Sequence, residues 1–406
     1  MTQVADEGRA GQIAGAPGFP PWPVYAADEI EAAAAVLRSG RVNYWTGSET
    51  REFEREYASH LGVRHAVALA NGTVAIEAAL HALGIGAGDE VVVTSRSFVA
   101  SAACVALKGA VPVFADIDPD SQNVTATTIE AALSPRTRAI LLVHLGGWPC
   151  EMDPIMTLAR ARGIKVIEDC AQAHGATYRG RPVGGLADIA VFSFCQDKII
   201  STGGEGGLLA TDDAGWWRSA WEYKDHGKNF DKVHHVRHPP GFRWLHDDFG
   251  TNARMTEFQA AIGRLQLRKL PEWHVQRTRN ARMLAAALAG VPGLRVPMPP
   301  QHMEHAYYRL YAYFDPARLK PGNDQGSVIA ALERDGVPAS SGSCAEMYLE
   351  QAFARRSMGP PARLPMARAS GETSLAFPVH PGMEERHLRR IADKVAGALR
   401  ELGVGE

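Results

Sequence analysis

The sequence of 406 residues has few cysteines, little net charge and no long apolar run, and each shortage excludes a class of protein. Five scattered cysteines without a Cys-x-x-Cys pair argue against a disulfide framework and a zinc site, so we expect no metal and a reducing, cytoplasmic location. A formal net charge of −2 gives no field that would recruit nucleic acid or an anionic membrane. No apolar run is long enough to span a bilayer. We therefore expect neither a nucleic-acid partner nor a membrane partner.

Short apolar runs alternate with helix-like stretches through much of the chain. The run HAVALA, for example, is followed by the helical pattern TVAIEAALHALG. This alternation predicts βαβ units, and hence an α/β fold with a mostly parallel sheet that helices cover on both faces. Because the pattern changes near a long helical stretch, we predict a flexible leader over residues 1–20, a large domain over 21–270 and a smaller α+β domain over 271–406.

Ligands of such sheets bind at the carboxyl ends of the strands, so the residues that follow the apolar runs are the candidates for a site. The first run leads into Gly72 and Thr73, where backbone N–H groups at a helix start would form an anion pocket. Taken alone, Thr73 is better interpreted as a simple helix cap. Asp169 ends the run KVIED, where a buried carboxylate needs a cation or hydrogen-bond donors. Gln172 follows it and either caps a helix or reaches a cofactor oxygen.

The stretch SFCQDKIISTGGEGG adds Ser193 at a strand end and Lys198 shortly after it. A lysine that forms Schiff bases in partly apolar surroundings has a lowered pKa, whereas a lone loop lysine is ordinarily solvated. Phe98 follows the run EVVVT and either lies on a planar ligand or belongs to the core, the core being the better interpretation of this residue alone. An anion pocket, an aromatic ring, a buried acid and a lysine at one sheet edge are together what pyridoxal phosphate requires.

Several long motifs in a fixed order resemble the DegT–DnrJ–StrS family of pyridoxal-phosphate-dependent sugar aminotransferases. The resemblance extends from about Trp22 to near the C-terminus. It is carried by ANGTVAIEAALHALGIGAGDEVVV, VIEDCAQAHGA, SFCQDKIISTGGEGG and FPVHPGM. The resemblance implies the type I aminotransferase fold, with a large-domain sheet of the seven-stranded type.

The same resemblance implies roles for the residues around the cofactor ring. Lys198 would hold the cofactor aldehyde as an imine and would move protons during the reaction. Asp169 would pair with the pyridine nitrogen, Gln172 would approach the ring hydroxyl, and Phe98 would stack on the ring. Some relatives replace the lysine with histidine and act as dehydratases, so the presence of Lys198 favours transamination.

Further residues are implied to hold the cofactor phosphate. Gly72, Thr73 and Ser193 would bind it within one subunit. Asn252, in the segment GTNARM, would reach the phosphate of the neighbouring subunit, which implies a homodimer with composite sites. In many relatives the lysine loop reads TTGEGG, and the extra glycine at 203–204 has no explanation from the sequence.

The expected reaction transfers an amino group from glutamate or glutamine to a ketone. The resemblance favours a nucleotide-linked keto-sugar as acceptor, in the biosynthesis of cell-surface or antibiotic sugars. A keto-cyclitol of the aminoglycoside type is the second hypothesis. A cofactor-binding regulator without turnover is the third.

Overall fold

The chain folds around a seven-stranded sheet, and the computed structural model describes residues 16–403. Residues 1–15 of the predicted leader lie outside the described residues. Within the described part, the strands are β1 (His65–Leu69), β2 (Glu90–Thr94), β3 (Val111–Ala115), β4 (Thr137–Val143), β5 (Lys165–Asp169), β6 (Thr177–Tyr178), β7 (Arg181–Pro182), β8 (Ile189–Ser193), β9 (Gly207–Thr211), β10 (Leu294–Arg295), β11 (Met303–Glu304), β12 (Leu310–Phe314) and β13 (Ser374–Phe377). The helices of the same part are α1 (Ala27–Ser39), α2 (Glu49–Leu61), α3 (Gly72–Ala82), α4 (Ala100–Leu107), α5 (Ala126–Glu130), α6 (Met152–Arg162), α7 (Ala214–Lys224), α8 (Phe230–His234), α9 (Glu257–Leu288), α10 (Gln325–Arg334), α11 (Gln351–Ala354), α12 (Pro365–Thr373) and α13 (Glu385–Leu402).

The large sheet has the strand order β1-β9-β8-β5-β4-β2-β3. Neighbouring strands from β8 to β3 are parallel, whereas β9 is antiparallel to both β8 and β1. The prediction of a mostly parallel sheet is therefore confirmed. The sequence analysis did not predict β9, which begins directly after the glycine run and carries only the short apolar segment GLLAT.

Helices cover both faces of this sheet. Alternate residues of β1 belong to two separate cores, Ala66 and Ala68 to one and Val67 and Leu69 to the other. The first core includes residues of α2, α6 and α9, and the second includes residues of α3, α4 and α7. Since side chains alternate across a strand, a strand that is apolar at every position must be buried on both faces. The predicted two-sided coverage is confirmed.

The C-terminal part forms a third core around a smaller sheet. Helix α9 extends over 32 residues and continues through Pro271, so the predicted domain boundary between residues 270 and 271 lies inside this helix and stays a prediction. Strands β10, β12 and β13 form an antiparallel sheet that packs with α10 and α13. Phe19 joins the same core from the N-terminal side. No helix within residues 16–403 is both long and apolar enough to cross a bilayer.

Two adjacent carboxylates at the end of β5 point to opposite faces of the sheet and have different surroundings. Glu168 is fully buried and accepts hydrogen bonds from the backbone N–H groups of Gly184, Leu186 and Ala187 at 2.7–2.9 Å. Its other neighbour is His144, whose Nδ1 accepts from the backbone of Cys150, so Nε2 donates to Glu168 at 3.1 Å. Glu168 therefore fixes the loop before β8, and Asp169 is the carboxylate free for a ligand.

We expect Glu168→Gln to destabilise the protein by about 1–3 kcal/mol, because an amide NH₂ would replace an oxygen that faces N–H donors. The free energy of unfolding in urea is the measurement. Glu130→Gln is the matched control, since Glu130 is exposed and, among residues 16–403, its carboxylate pairs with Arg162 alone, and it should change stability by less than about 0.5 kcal/mol. Equal effects of the two substitutions would show that the Glu168 contacts add no stability.

Candidate active site

The predicted site residues converge at the carboxyl edge of the large sheet. Asp169 ends β5, Ser193 ends β8, and Gly72 begins α3 just after β1. Strand β9 runs in the opposite direction, so its first residue, Gly207, lies at the same edge and pairs with Ser193 on one side. The topology thus gathers segments that are far apart in the sequence.

One side of the site is suited to an anion. The backbone at Gly72 passes so close to Ser193 that an added Cβ would lie 2.7 Å from the serine Cβ. The N–H groups of Gly72 and Thr73 begin α3 and have no carbonyl partner within the helix. The helix cap is Asn71, whose Oδ1 accepts from the N–H of Val74 at 3.0 Å. The interpretation of Thr73 as the cap is therefore wrong, and its hydroxyl is not needed for capping.

Asp169 is a buried carboxylate with few partners. Its side chain is only 5% exposed, and it accepts hydrogen bonds from the hydroxyl of Ser101 at 3.2 Å and the N–H of Ala171 at 3.0 Å. Among residues 16–403 no Lys, Arg or His nitrogen lies within 4.0 Å of it. Burial raises the pKa of Asp169, and these hydrogen bonds and the charge of Lys198 only partly oppose that shift. A cationic ring nitrogen would supply the missing partner.

Gln172 and Phe98 border the same edge. The Oε1 of Gln172 accepts a hydrogen bond from the N–H of Gly146 at 2.7 Å, and the side chain is buried. Phe98 is 67% exposed, so its interpretation as a core residue is wrong. It lies two residues before the first residue of α4, which also carries Ser101. An exposed aromatic ring at this position is available to a planar ligand.

Lys198 lies beside an acid and a phenol. Its Nζ is 3.4 Å from Oδ1 of Asp197 and 3.4 Å from the hydroxyl of Tyr308, and its side chain is 15% exposed. Burial lowers the pKa of Lys198, but Tyr308 and Asp197 together outweigh burial and hold this pKa above its ordinary value. The lowered pKa of a Schiff-base lysine is therefore not produced by the protein's own groups, because the negative charge of Asp197 and the Tyr308 hydroxyl stabilise the ammonium form of Lys198.

The glycine run after Lys198 turns the chain back into β9. Gly203 and Gly204 have backbone φ values of +84° and +119°, which L-residues other than glycine rarely adopt. The N–H of Gln196 donates to the carbonyl of Gly204 at 3.0 Å, which closes the loop on itself. At Gly207 an added Cβ would lie 2.2 Å from the carbonyl oxygen of Asn71. The doubled glycine is thus explained by two consecutive left-handed positions.

Asn252 lies in an exposed segment next to Asp225, with which it forms an isolated bridge. Its neighbour Ala253 is buried, and the backbone of Ala253 bonds to both Ala70 and Lys224. The segment is therefore anchored close to the start of α3, while the side chain of Asn252 belongs to the accessible surface.

The structure adds residues that the sequence analysis did not select. Ser101 donates to Asp169, Tyr308 donates to Asp197, and the indole of Trp22 donates to the carbonyl of Lys198 at 2.9 Å. Asp197 directly precedes Lys198 in the sequence and could have been noticed as a neighbouring charge. Tyr308 is 110 positions away, so only the fold reveals its contact.

These surroundings fit pyridoxal phosphate. They combine an anion-binding helix start at Gly72, a buried acid without a cation at Asp169, an exposed ring at Phe98 and an accessible amine at Lys198. Each element matches one chemical part of the cofactor, namely phosphate, ring nitrogen, ring face and aldehyde.

Comparisons with known proteins agree with this site. The profile of the DegT/DnrJ/EryC1/StrS aminotransferase family matches residues 23–396. The chain is 38% identical over 352 residues to GDP-perosamine synthase of Caulobacter vibrioides. The aligned region covers 86% of this chain and 90% of that protein. It is 35% identical over 353 residues to the UDP-N-acetyl-3-dehydro-alpha-D-glucosamine 3-aminotransferase of Acidithiobacillus ferrooxidans, covering 87% of this chain and 89% of that one.

Among solved structures, an aminotransferase from Psychrobacter cryohalolentis superposes with a TM-score of 0.91 at 47% identity. The superposition covers 95% of this chain and 99% of the other.

Proposed function

The chain belongs to the DegT/DnrJ/EryC1/StrS aminotransferase family, and on this premise we propose that it transfers an amino group from glutamate or glutamine to the ketone of a nucleotide-linked keto-sugar. It is a pyridoxal-phosphate-dependent aminotransferase. The observation that carries the proposal is that Lys198 lies at the same edge of the sheet as Asp169, a buried carboxylate with no cation beside it in the described part of the chain. A protein that binds no pyridoxal phosphate would need neither group in this arrangement.

The bound cofactor supplies a ring that takes up the electron pair released at the donor Cα. Lys198 is the residue we assign to covalent attachment and to carrying a proton between the donor Cα and the cofactor C4′ carbon. Asp169 would keep the ring nitrogen protonated, because its buried carboxylate gains a cationic partner there. Gln172 would meet the ring hydroxyl, and Phe98 would lie against the ring.

The phosphate would be held by the N–H groups of Gly72 and Thr73 together with Ser193. By its resemblance to the family, Asn252 would reach the phosphate of a second subunit, and its exposure leaves it accessible to that subunit. The proposed assembly is thus a homodimer whose sites each contain residues of both subunits.

The acceptor class rests on the relatives. Two of them, at 38% and 35% identity, are named for a GDP-linked sugar and a UDP-linked 3-dehydro sugar. The same assignment places the reaction in sugar biosynthesis, and the five unpaired cysteines suit a reducing cytosol. The proposed division into a large domain to residue 270 and a small domain after it would put the site at the edge of the former.

We expect Lys198→Ala to abolish transamination and the absorbance that lysine-bound cofactor gives near the visible edge, because the variant lacks the amine assigned to covalent attachment. Amino transfer and the absorption spectrum are the two measurements. Lys165→Ala is the control: Lys165 begins β5 at the opposite edge of the sheet, pairs with Asp188 and should be dispensable. Near-normal turnover of Lys198→Ala would refute the assignment.

A panel of acceptors tests the substrate class. Glutamate should bleach the visible band of the purified enzyme, and a nucleotide-linked keto-sugar should restore the band and yield an amino sugar. Restoration by keto-cyclitols alone would replace the proposed function with the cyclitol one. Bleaching without any aminated product from either group would favour a regulator.

Mixing of subunits tests the composite site. Asn252→Ala should weaken cofactor binding by roughly 10-fold, the size of one lost hydrogen bond to a charged group. If Asn252 acts across the dimer, excess Lys198→Ala subunits should restore wild-type cofactor affinity to the Asn252→Ala subunits. Unchanged weak binding in the mixture, or a monomeric mass in light scattering, would contradict the proposal.

A further inference from the structure

A small cavity opens beside the lysine loop and is lined largely by cationic and aromatic groups. It lies where the large sheet meets the C-terminal part. The residues used below all line it: Trp22, Asp197, Arg277, Tyr308, Arg309 and His380. Asp197 is the acid of this lining, and it is already engaged by the ammonium of Lys198 and the hydroxyl of Tyr308.

Arg309 is a buried cation that stands next to Lys198. Its side chain belongs to a residue that is only 8% exposed, and its Cζ lies 4.9 Å from the centre of the Tyr308 ring. The Nζ of Lys198 lies 4.8 Å from the centre of the same ring. In the part of the chain that the structure describes, no carboxylate oxygen lies within 4.0 Å of the Arg309 guanidinium. A buried charge without a close counter-ion is unfavourable unless a ligand supplies one.

Arg277 and His380 present further buried nitrogens. Within residues 16–403, the Nε of Arg277 and both ring nitrogens of His380 make no hydrogen bond. Both side chains are held against Trp22, with the Arg277 guanidinium 4.9 Å from the ring centre and the His380 ring stacked at 5.6 Å. Trp22 therefore fixes these groups at the cavity wall, and their free nitrogens remain available to a ligand.

The charges of this cluster do not balance. Burial, reinforced by Arg277 and Arg309, lowers the pKa of His380 to about 3, so its imidazole is neutral at pH 7. Burial and the neighbouring Arg309 also lower the pKa of Arg277, to about 9. Two guanidinium groups and the ammonium of Lys198 thus face the single carboxylate of Asp197. A bound anion would remove this imbalance, and a planar carboxylate matches the two-pronged geometry of a guanidinium.

We propose that Arg309, supported by Arg277 and His380, binds the carboxylate of the amino-acid donor. The inference rests on the proposed function, in which the donor amino group takes the place of the Lys198 amine. The α-carboxylate is bonded to the carbon that bears this amine, so a cation that contacts the same Tyr308 ring as Lys198 is at a suitable position. The nucleotide-linked acceptor also carries an anion, its diphosphate, so the test compares the two substrates.

The test separates the two half-reactions of the holoenzyme. Arg309→Met keeps an unbranched apolar side chain and removes the guanidinium with its charge. We expect it to raise the KM for glutamate by about 10- to 100-fold, the range for losing a charge-assisted bidentate contact, and to leave the KM for the nucleotide-linked acceptor unchanged. Arg309→Lys, which retains the charge, should recover part of the loss.

A binding measurement complements the kinetics. Glutarate lacks the amino group and cannot react, so calorimetry with the holoenzyme reports carboxylate binding alone. We expect glutarate to bind the wild type and not Arg309→Met. Arg295→Met is the matched control, because Arg295 also lies over a tyrosine ring, 4.5 Å from the centre of Tyr313, but is exposed and outside the cavity. It should bind glutarate as the wild type does.

Several outcomes would overturn the inference. A wild-type KM for glutamate in Arg309→Met, a defect confined to the acceptor, or an equal loss of both half-reactions with an intact cofactor band would each assign Arg309 another role. Absence of amino transfer in the wild type would instead reject the proposed function. The two failures are therefore distinguishable.

Discussion

The close approach of three backbone segments at Gly72, Ser193 and Gly207 is the constraint on which the site depends. An added Cβ at Gly207 would lie 2.2 Å from the carbonyl oxygen of Asn71, and one at Gly72 would lie 2.7 Å from the Cβ of Ser193. Only glycine permits both contacts. Because β9 pairs with β1 on one side and β8 on the other, this approach brings the start of α3 to the end of β8. Without it the anion-binding side of the site would be separated from the lysine loop.

The lysine loop is shaped by the same strand pairing. The turn through Gly203 and Gly204 returns the chain to β9, and Lys198 lies on the segment between this turn and Ser193. Trp22 and Tyr308 then contact the loop from the N-terminal and C-terminal parts of the chain. Three parts of the chain thus determine the surroundings of one amine, which is why its pKa follows from the fold and not from the loop sequence.

The sequence alone predicted those features of the fold that follow from the burial of apolar strands. Strands such as β1 and β5 are apolar on both faces, so their pattern predicted a parallel sheet and placed Asp169 and Ser193 at its carboxyl edge. It failed where the outcome depended on distant contacts. Strand β9 is short and begins at a glycine, so it gave no strand pattern of its own. Phe98 is apolar but 67% exposed, and hydrophobicity alone cannot distinguish a ring kept for a ligand from a ring in the core.

A transaminase site binds the amino-acid donor and the keto acceptor in turn. A cation that binds the donor carboxylate must therefore stay charged when the donor is absent. Arg309 meets this requirement better than Arg277. Burial lowers the pKa of Arg309, but the neighbouring tyrosines and Asp197 outweigh that effect and hold it above its ordinary value. Arg309 thus stays charged through both half-reactions, and the Tyr308 ring stabilises both cations, with Lys198 at 4.8 Å and Arg309 at 4.9 Å from its centre. Arg277, whose pKa burial lowers, contributes mainly hydrogen-bond donors. The attraction for a donor carboxylate would therefore reside in Arg309, and Arg277 and His380 would set its orientation.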